Sequence, residues 1–491
     1  MSTRYGRLRG FRRDGIYIFR GIEYGATTEG AARFLPAREP APWEGVKTAL
    51  SYGPVSPQPA RDWSNDVMAF WSDWNDGHPG ENCLTLNVWS SNLSAGARRP
   101  VVVWFHGGGY TTGSAIEQPA YDGARLAARG AVVVTVNHRL GALGFMDLSH
   151  VGGTQYARSG NVGILDLVQS LRWVKDNIAA FGGDPARVTI FGQSGGGGKV
   201  SALMAMPEAS GLFHRAMVMS GSNVPGRDAA AARALTDAVM KELGLAPNDI
   251  AGLQKVPAQR LVDAGIAAQR SLATAGVMGA AWGPVRDGAV LPTDAWVNGA
   301  PTQSASVPLI VGNVRDEFKG TARYDEAGLR KRAQELYKDK ADAVLAALQS
   351  DYPSLSADDR VGALTGITVR KAAITQADKK AAQAGAPVYM YYFTFEGPLL
   401  DGGIGVPHCA DINYVFDNTA RCDALTGDTP EARAVADRFS RAFLQFAATG
   451  DPGTSALAWP RYDARKRTTM VFGPQVRAQD DPGGATLKAI G

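Results

Sequence analysis

Residues 188–196 read VTIFGQSGG, an apolar run followed by a serine set among glycines. The run Val188–Phe191 does not alternate with polar residues, so it predicts a strand that is buried on both faces. The glycines indicate a sharp, strained turn with no room for neighbouring side chains, and the helical stretch Lys199–Met206 follows. The pattern Gly-x-Ser-x-Gly between a strand and a helix is typical of a nucleophile elbow, which presents the Ser194 hydroxyl above a sheet.

A phosphate-binding loop is the alternative interpretation of this glycine-rich segment. That motif reads Gly-x-x-x-x-Gly-Lys-Ser/Thr, and Gly198-Lys199 match its centre. However, Gln193 stands where the first glycine belongs, and Val200 stands where the hydroxyl residue belongs. Two of the four fixed positions therefore differ, and the nucleophile elbow is the better interpretation.

Apolar runs of the same kind predict the rest of the sheet. They are rich in Val and Ile and comprise Val101–Phe105, Ala131–Val136, Ala216–Met219 and Pro308–Val311. Strands of this kind that alternate with helices are typical of an α/β fold with a mostly parallel central sheet.

Helices are predicted between and after these strands. Apolar residues recur at helical spacing over Asn161–Ala180, and a later helix is predicted from a Thr429 cap to Gly450. We expect a single domain over residues 1–491, with helical excursions at about 225–300 and 320–385 that cover the sheet.

The composition is that of a globular protein and excludes several classes. The 51 Lys and Arg residues nearly balance the 47 Asp and Glu residues, for a formal net charge of +4, and they form no basic run. Nucleic acid is therefore not expected as a partner. No apolar run approaches the roughly 18 residues of a membrane span. The three cysteines, Cys83, Cys409 and Cys422, are too few for a disulfide scaffold and lack the spacing of a zinc site.

The first residues do not match a targeting signal. Residues 1–13, MSTRYGRLRGFRR, are basic, but no apolar segment of signal-peptide length follows them. This favours a cytoplasmic protein. A periplasmic or secreted protein whose signal peptide has been removed is the alternative.

A second glycine cluster, His106-Gly107-Gly108-Gly109, follows the predicted strand Val101–Phe105. Its backbone N–H groups can stabilise the oxyanion of a tetrahedral intermediate, because nothing blocks the approach of a carbonyl group. A plain glycine turn is the alternative interpretation. The elbow at Ser194 favours the oxyanion hole.

A hydroxyl nucleophile needs a base, and the chain has six histidines. In the α/β-hydrolase order, the acid and then the histidine follow the serine, and only His214 and His408 come after Ser194. His214 is too close to the elbow to leave room for an acid. His408 follows the glycine- and proline-rich loop Gly397–Pro407, where the base of such an enzyme would be held.

The acid of such a triad should lie between the serine and the histidine, directly after a strand. The predicted strand Pro308–Val311 leads to the adjacent carboxylates Asp316 and Glu317. Spacing alone does not choose between them.

With these residues, the chain resembles the type-B carboxylesterase family, which includes cholinesterases and bacterial para-nitrobenzyl esterases. The resemblance runs from Tyr5 to about Phe472. Besides the elbow and the His106–Gly109 turn, its motifs are Phe19–Tyr24 (FRGIEY), Arg33-Phe34, Glu81–Val88 (ENCLTLNV), Asn161–Asp166 (NVGILD), Ser220–Ser222 (SGS), Asp316-Glu317, Gly405–His408 (GVPH) and Trp459–Tyr462 (WPRY). It implies an α/β-hydrolase fold and hydrolysis of carboxylic esters through an acyl-enzyme on Ser194. It implies a small-molecule ester as the substrate and neither a metal nor an organic cofactor.

The resemblance also implies roles for individual residues. Glu317 is the implied acid, with His408 as the base, and Ser222 falls at the position of a serine that supports the acid. The implied oxyanion donors are the backbone amides of Gly108, Gly109 and Gly195. Two structural ion pairs are implied, Arg33 with Glu81 and Arg139 with Asp166.

Two positions near the nucleophile depart from the family pattern. Gln193 stands where the family usually has Glu, which removes a negative charge beside the nucleophile, and Lys199 stands where it usually has a small residue. Both changes make the site less suited to choline esters than to neutral or anionic esters. Pairing of Lys199 with a buried acid is the alternative explanation for the lysine.

The loop Pro59–Gly80 is the predicted wall of the substrate pocket. It holds Trp63, Trp71 and Trp74, and the resemblance implies that it lines the approach to the serine. Cys83 matches a cysteine that closes this loop by a disulfide in secreted relatives, but no cysteine precedes it here, so we expect no disulfide. The alternative is that these aromatic residues only hold the loop against the core.

Two other functions compete with ester hydrolysis. Relatives of this fold that have lost the nucleophile act as adhesion proteins, and the intact Ser194, Glu317 and His408 argue against that role. An enzyme that cuts amides, thioesters or carbamates with the same residues is the second alternative. We expect a monomer or a weak homodimer.

Overall fold

The computed structural model describes residues 1–61, 71–222, 226–292 and 296–491. Their strands are β1 (Arg7–Arg9), β2 (Phe11–Arg13), β3 (Ile16–Glu23), β4 (Val46–Thr48), β5 (Thr85–Ser90), β6 (Arg99–Phe105), β7 (Val132–Val136), β8 (Gly183–Gln193), β9 (Arg215–Met219), β10 (Leu309–Val314), β11 (Val388–Phe393), β12 (Thr468–Phe472) and β13 (Arg477–Asp480). Their α-helices are α1 (Ala124–Ala128), α2 (Gly141–Phe145), α3 (Val162–Asn177), α4 (Gly195–Leu203), α5 (Ala229–Glu242), α6 (Ile250–Lys255), α7 (Ala258–Thr274), α8 (Glu326–Tyr337), α9 (Ala341–Asp351), α10 (Ala357–Ala382), α11 (Ile412–Val415), α12 (Asp423–Thr426), α13 (Pro430–Thr449) and α14 (Gly484–Ile490).

Eleven of the described strands form one sheet, in the order β13-β12-β11-β10-β9-β8-β6-β7-β5-β3-β2. The seven strands from β12 to β7 in this order are all parallel to one another. The strand β13 at one edge and the strands β5, β3 and β2 at the other pair antiparallel. The mostly parallel sheet flanked by helices confirms the predicted fold class.

The central strands are buried on both faces, as their uninterrupted apolar sequences predict. In β6, Val101, Val103 and Phe105 belong to one hydrophobic cluster, whereas Val102 and Trp104 belong to a second. Because successive side chains of a strand point to opposite faces, the sheet separates two apolar layers of the core.

Five of the fourteen described α-helices begin at a side-chain N-cap. The helix α13 begins after Thr429, whose Oγ1 accepts a hydrogen bond of 3.2 Å from the Ala432 amide, and it ends at Gly450 with a φ of 86°. The helix α4 begins at Gly195, earlier than the predicted start at Lys199. Glycine is a poor helix former, but here the glycines form the first turn because backbone from neighbouring segments packs directly against them.

Helices α5 to α7 lie within the interval 225–300, and α8 to α10 lie within 320–385, where helical excursions are predicted. In the described part of the chain, no helix has both the length and the apolar character that crossing a membrane requires.

The polar residues singled out in the sequence meet at one edge of the sheet. The turn His106–Gly109 follows β6, Ser194 follows β8, Glu317 follows β10, and His408 lies on the connection after β11. Because β6, β8, β10 and β11 run parallel, these segments lie at the carboxyl ends of their strands, where open α/β sheets bind ligands.

Candidate active site

Ser194 occupies a strained turn between β8 and α4. Its backbone has φ 57° and ψ −124°, and its amide donates a 2.8 Å hydrogen bond to the Met219 carbonyl. A Cβ atom on Gly196 would lie 2.0 Å from the Phe105 carbonyl oxygen, and one on Gly192 would lie 2.5 Å from the Gly196 backbone. The two glycines are therefore required by close backbone packing, as the elbow motif predicts.

His408 and Glu317 are joined by a side-chain hydrogen bond between Nδ1 of the imidazole and Oε2 of the carboxylate. The His408 amide also donates to the Glu317 carbonyl, at 2.8 Å. The second carboxylate oxygen of Glu317 accepts hydrogen bonds from Ser220 Oγ at 2.8 Å and from the Val314 amide at 3.2 Å. A fully buried carboxylate is thus held in one orientation against the imidazole, with Nε2 on the far side of the ring.

Asp316 faces away from the histidine. It forms two hydrogen bonds of 2.7 Å with the guanidinium of Arg315, and it accepts a 2.6 Å hydrogen bond from the Val406 amide. The two adjacent carboxylates therefore have different surroundings. Glu317 contacts the imidazole, whereas Asp316 holds the loop that leads to His408.

The serine that contacts the acid is Ser220, and the expectation for Ser222 is wrong. Ser220 directly follows β9, and its amide donates to the Gly312 carbonyl of the adjacent β10 at 2.8 Å. This pairing brings the hydroxyl next to Glu317, just beyond the end of β10. Ser222 lies two residues further on, and its buried Oγ has no hydrogen-bond partner among the described residues.

The predicted oxyanion turn packs directly against the elbow. Gly108 and Gly109 have φ values of 75° and 62°. A Cβ atom on Gly195 would lie 2.4 Å from both the nitrogen and the Cα of Gly109, and one on Gly107 would lie 3.6 Å from Ser194 Cβ. The backbones that carry the three predicted donor amides are therefore close to one another and to the serine.

Two cavities meet at Ser194. One, of about 350 Å³, is lined by Trp71, Trp74, Gln193, Glu317 and His408 among others. The other, of about 440 Å³, includes Tyr110, Ser222, Arg227 and Trp282. The predicted wall residues Trp71 and Trp74 thus line the first cavity, and Trp63 lies outside the described residues. Concave sites of this size, with aromatic side chains in their walls, suit small molecules.

Gln193 is fully buried and connects His408 to Cys409. Its Nε2 lies 3.4 Å from each ring nitrogen of His408, and its Oε1 accepts a 2.8 Å hydrogen bond from Cys409 Sγ. Burial raises the pKa of Cys409 well above its ordinary value, so the thiol keeps its proton and acts as the donor. The contact between Gln193 and Cys409 has one signal in the sequence: Cys409 directly follows the histidine and therefore lies near the site.

Lys199 is fully buried on α4 and contacts the backbone of the glycine turn. Its Nζ donates to the His106 carbonyl at 2.8 Å and to the Gly107 carbonyl at 3.4 Å. Burial lowers its pKa to about 7, and Glu117 opposes this shift through its charge. Lys199 makes no ion pair with any residue that the structure describes, so the alternative explanation, pairing with a buried acid, finds no support among these contacts.

Four residues at the centre of the site have backbone conformations that L-amino acids rarely adopt. They are Ser194 (φ 57°), Ser220 (46°), Glu317 (33°) and Cys409 (74°). Strain of this kind costs roughly 1–3 kcal/mol per residue and clusters at functional sites.

The remaining structural expectations concern ion pairs and cysteines. Arg33 pairs with Glu81, with 2.7 Å between Nε and Oε2, and Arg139 pairs with Asp166, with 2.6 Å between Nη2 and Oδ1. Cys83, Cys409 and Cys422 are all free thiols. Both implied ion pairs are confirmed.

A profile of the carboxylesterase family matches residues 1–486. The chain is 32% identical over 491 residues to the para-nitrobenzyl esterase of Bacillus subtilis (strain 168), which covers 98% of this chain and 96% of that protein. It is 33% identical over 496 residues to the phenmedipham hydrolase of Pseudarthrobacter oxydans, with coverage of 96% and 94%. Among solved structures, an esterase from Clostridium hathewayi that can hydrolyze aliphatic aromatic polyesters superposes with a TM-score of 0.89 at 36% identity, over 100% of this chain and 97% of that one.

Proposed function

Because the chain belongs to the carboxylesterase family and is a carboxylic ester hydrolase, we propose that it cleaves esters through an acyl-enzyme on Ser194, with His408 as the base and Glu317 as the acid. The observation that carries this proposal is the hydrogen bond between His408 Nδ1 and the Glu317 carboxylate. Both residues line the same cavity as Ser194. With Nδ1 occupied by the acid, Nε2 is the nitrogen available to the serine.

In the proposed reaction, His408 removes the proton of Ser194 as Oγ attacks the ester carbonyl. Glu317 orients the imidazole and stabilises the imidazolium that forms. The histidine then gives this proton to the departing alcohol. Water attacks the acyl-enzyme with His408 again as the base, which releases the carboxylic acid and restores Ser194.

The proposed oxyanion hole consists of the amides of Gly108, Gly109 and Gly195. Gly195 supplies the first amide of α4, so the partial positive charge of the helix N-terminus adds to its effect. The close packing of Gly195 on Gly109 supports a shared binding position for the oxyanion.

We propose neutral or anionic esters as the substrate class, rather than choline esters. Gln193 places a neutral amide beside the histidine where a carboxylate would attract a cation. The 440 Å³ cavity contains Arg227 and, among its described lining residues, no acidic side chain. Arg227 makes no ion pair within the described ranges, and a guanidinium in such a cavity suits a substrate carboxylate.

Labelling with a fluorophosphonate, followed by mass spectrometry of the peptides, tests the proposed nucleophile. We expect the label on Ser194, and we expect Ser194→Ala to lose both the label and several powers of ten in kcat on p-nitrophenyl esters. Ser222→Ala is the matched control, because Ser222 lines the same cavity and should keep both. A label on another serine, or a tenth of the wild-type activity in Ser194→Ala, would contradict the assignment.

The same residues could attack amides, thioesters or carbamates. Turnover of short p-nitrophenyl esters against matched p-nitroanilides and carbamates decides this point. We propose that esters are the better substrates, because an alcohol is a better leaving group than an amine, which must be protonated before it departs.

We further propose that residues 1–491 act as one catalytic domain, as a monomer or weak homodimer in the cytoplasm. Three free thiols suit a reducing compartment. Light scattering after size-exclusion chromatography tests the oligomeric state, and a thiol count after denaturation without reductant should give three.

A further inference from the structure

A buried lysine that forms no ion pair with a carboxylate of the described ranges needs an explanation, because an isolated charge in the interior is strongly unfavourable. Lys199 is fully buried and lies five residues after Ser194. Its Nζ lies 5.7 Å from the centre of the Tyr110 ring, and its hydrogen bonds go to two carbonyls of the glycine turn. Its polar contacts are thus concentrated on one short piece of backbone.

These carbonyls determine where the amides of the turn point. A trans peptide is planar, and its C=O and N–H point in opposite directions. The Gly107 carbonyl and the Gly108 N–H belong to the same peptide, so a donor on that carbonyl fixes the direction of the amide. The Gly107 carbonyl also accepts from His106 Nδ1 at 3.0 Å.

The turn also lies unusually close to the elbow. The contact between Gly109 and Gly195 leaves no space for even a methyl group on Gly195. Lys199 is on the helix that Gly195 begins, so it links that helix to the far side of the turn. One helix thereby supplies an oxyanion amide and holds the peptide that carries another.

We propose that Lys199 is a positioning residue that aims the Gly108 amide at the oxyanion by holding the His106 and Gly107 carbonyls from behind. This inference rests on the proposed function of Ser194 and of the glycine turn. The ammonium does not touch the substrate. It acts by keeping the peptide planes of the turn in the orientation that the transition state requires.

The test uses Lys199→Met, which keeps an unbranched side chain one atom shorter and removes the amine, and Lys199→Ala, which places a small residue there. We expect kcat on p-nitrophenyl butyrate to fall about 10- to 100-fold, less than the loss of a whole oxyanion donor. The KM should stay within about threefold of wild type, because the ground-state carbonyl needs the oxyanion donors far less. A trifluoromethyl ketone, which forms an oxyanion on the serine, should bind more weakly by the same factor as kcat. Rates are expressed per active site, counted by fluorophosphonate titration.

Lys380→Met is the matched control. Lys380 is also buried, and its Nζ donates to the Ser304 and Ala305 carbonyls at 2.7 and 3.0 Å, away from the catalytic edge. It should alter stability but leave kcat and inhibitor affinity unchanged.

Wild-type kcat and inhibitor affinity in either Lys199 variant would overturn the proposal, as would an equal loss in Lys380→Met. If Lys199→Met does not fold, Lys199→Ala decides. Should Ser194→Ala remain active, the proposed function itself fails. If only the Lys199 variants behave like wild type, that function stands and the positioning role is rejected.

Discussion

Cys409 Sγ donates a hydrogen bond of 2.8 Å to Oε1 of Gln193, the residue directly before the proposed nucleophile. This contact turns the amide so that its nitrogen faces the ring of His408. Both partners are neutral, since the thiol keeps its proton. The proposed base therefore has a carboxylate at Nδ1 and an uncharged amide nitrogen 3.4 Å from both of its ring nitrogens.

Gln193→Glu should change the pH dependence of catalysis. A second carboxylate beside His408 stabilises the imidazolium. The acid limb of the kcat/KM profile should therefore move to higher pH. The relative kcat/KM for a choline ester should rise. The profile is measured from pH 5 to 9, with Gln118→Glu as the control, because Gln118 lines the same cavity and makes no hydrogen bond to His408 among the described residues. An unchanged acid limb would contradict the importance of this contact.

Glu317→Gln and Asp316→Asn should separate catalysis from stability. Glu317→Gln should lower kcat by several powers of ten with little loss of stability, because Glu317 holds the imidazole. Asp316→Asn removes one of the two carboxylates that pair with Arg315, and Glu396 remains 2.7 Å from the guanidinium, so the variant should cost about 1.5–3 kcal/mol of the free energy of unfolding. The folded fraction should remain far more active than Glu317→Gln. Urea unfolding and kcat are measured on both, and a greater loss of kcat in Asp316→Asn would mean that the wrong acid is assigned.

Ser220→Ala and Ser222→Ala test the correction between these serines. Ser220→Ala removes a hydrogen bond to a buried carboxylate and should lower kcat about tenfold, as expected for a bond to a charged group worth about 1.5 kcal/mol. Ser222→Ala should leave kcat near wild type. The reverse order of the two effects would restore the sequence-based assignment.

The two described tryptophans of the wall should respond differently to truncation. Trp71 is 3% exposed and packs in the core, so Trp71→Ala should cost about 3–5 kcal/mol as well as altering substrate preference. Trp74 is half-buried, with the Arg61 guanidinium 3.9 Å from its ring centre. Trp74→Ala should therefore change KM across a series of ester lengths at a cost of about 1 kcal/mol. An equal activity loss on every ester, in step with stability, would indicate that Trp74 only holds the loop.

Lys199 should make stability depend on pH. Its folded-state pKa is about 7, against about 10.4 in an unfolded chain. Between these values the unfolded chain binds the extra proton, so stability should rise with pH by up to about 1.4 kcal/mol per unit, and the cost is fully present below pH 7. Lys199→Met lacks this dependence but keeps the neighbouring Glu117, His106, His138 and Tyr110. Urea unfolding of both proteins is measured from pH 7 to 10. The free energy of unfolding of the wild type should rise with pH relative to that of the variant, and a constant difference between the two would contradict this.

Local chemistry made much of the fold and site predictable. The strand before Ser194, the glycines around it and the turn after His106 carry their signals within a few residues. The helix cap at Thr429 is local in the same sense. His408 followed from chain order, because only two histidines come after the serine.

The corrections concern contacts that depend on which segments meet in space. Ser220 and Ser222 are two residues apart, and the register between β9 and β10 decides which one reaches Glu317. Likewise, Lys199 has carbonyl partners more than ninety residues earlier in the chain. Backbone carbonyls carry no sequence signature, so these partners of a buried lysine cannot be predicted from the sequence.

The left-handed backbone of Ser194, Ser220, Glu317 and Cys409 affects which substitutions evolution can accept at these positions. Glycine adopts such conformations without strain, so replacing any of these residues by glycine would relax the local backbone. Folding would therefore resist the loss of the proposed nucleophile less than the loss of the acid, whose buried carboxylate accepts hydrogen bonds from Ser220 and Val314. Retention of Ser194 across generations would have to come from selection on turnover, and lineages released from that selection should lose this serine before they lose the sheet.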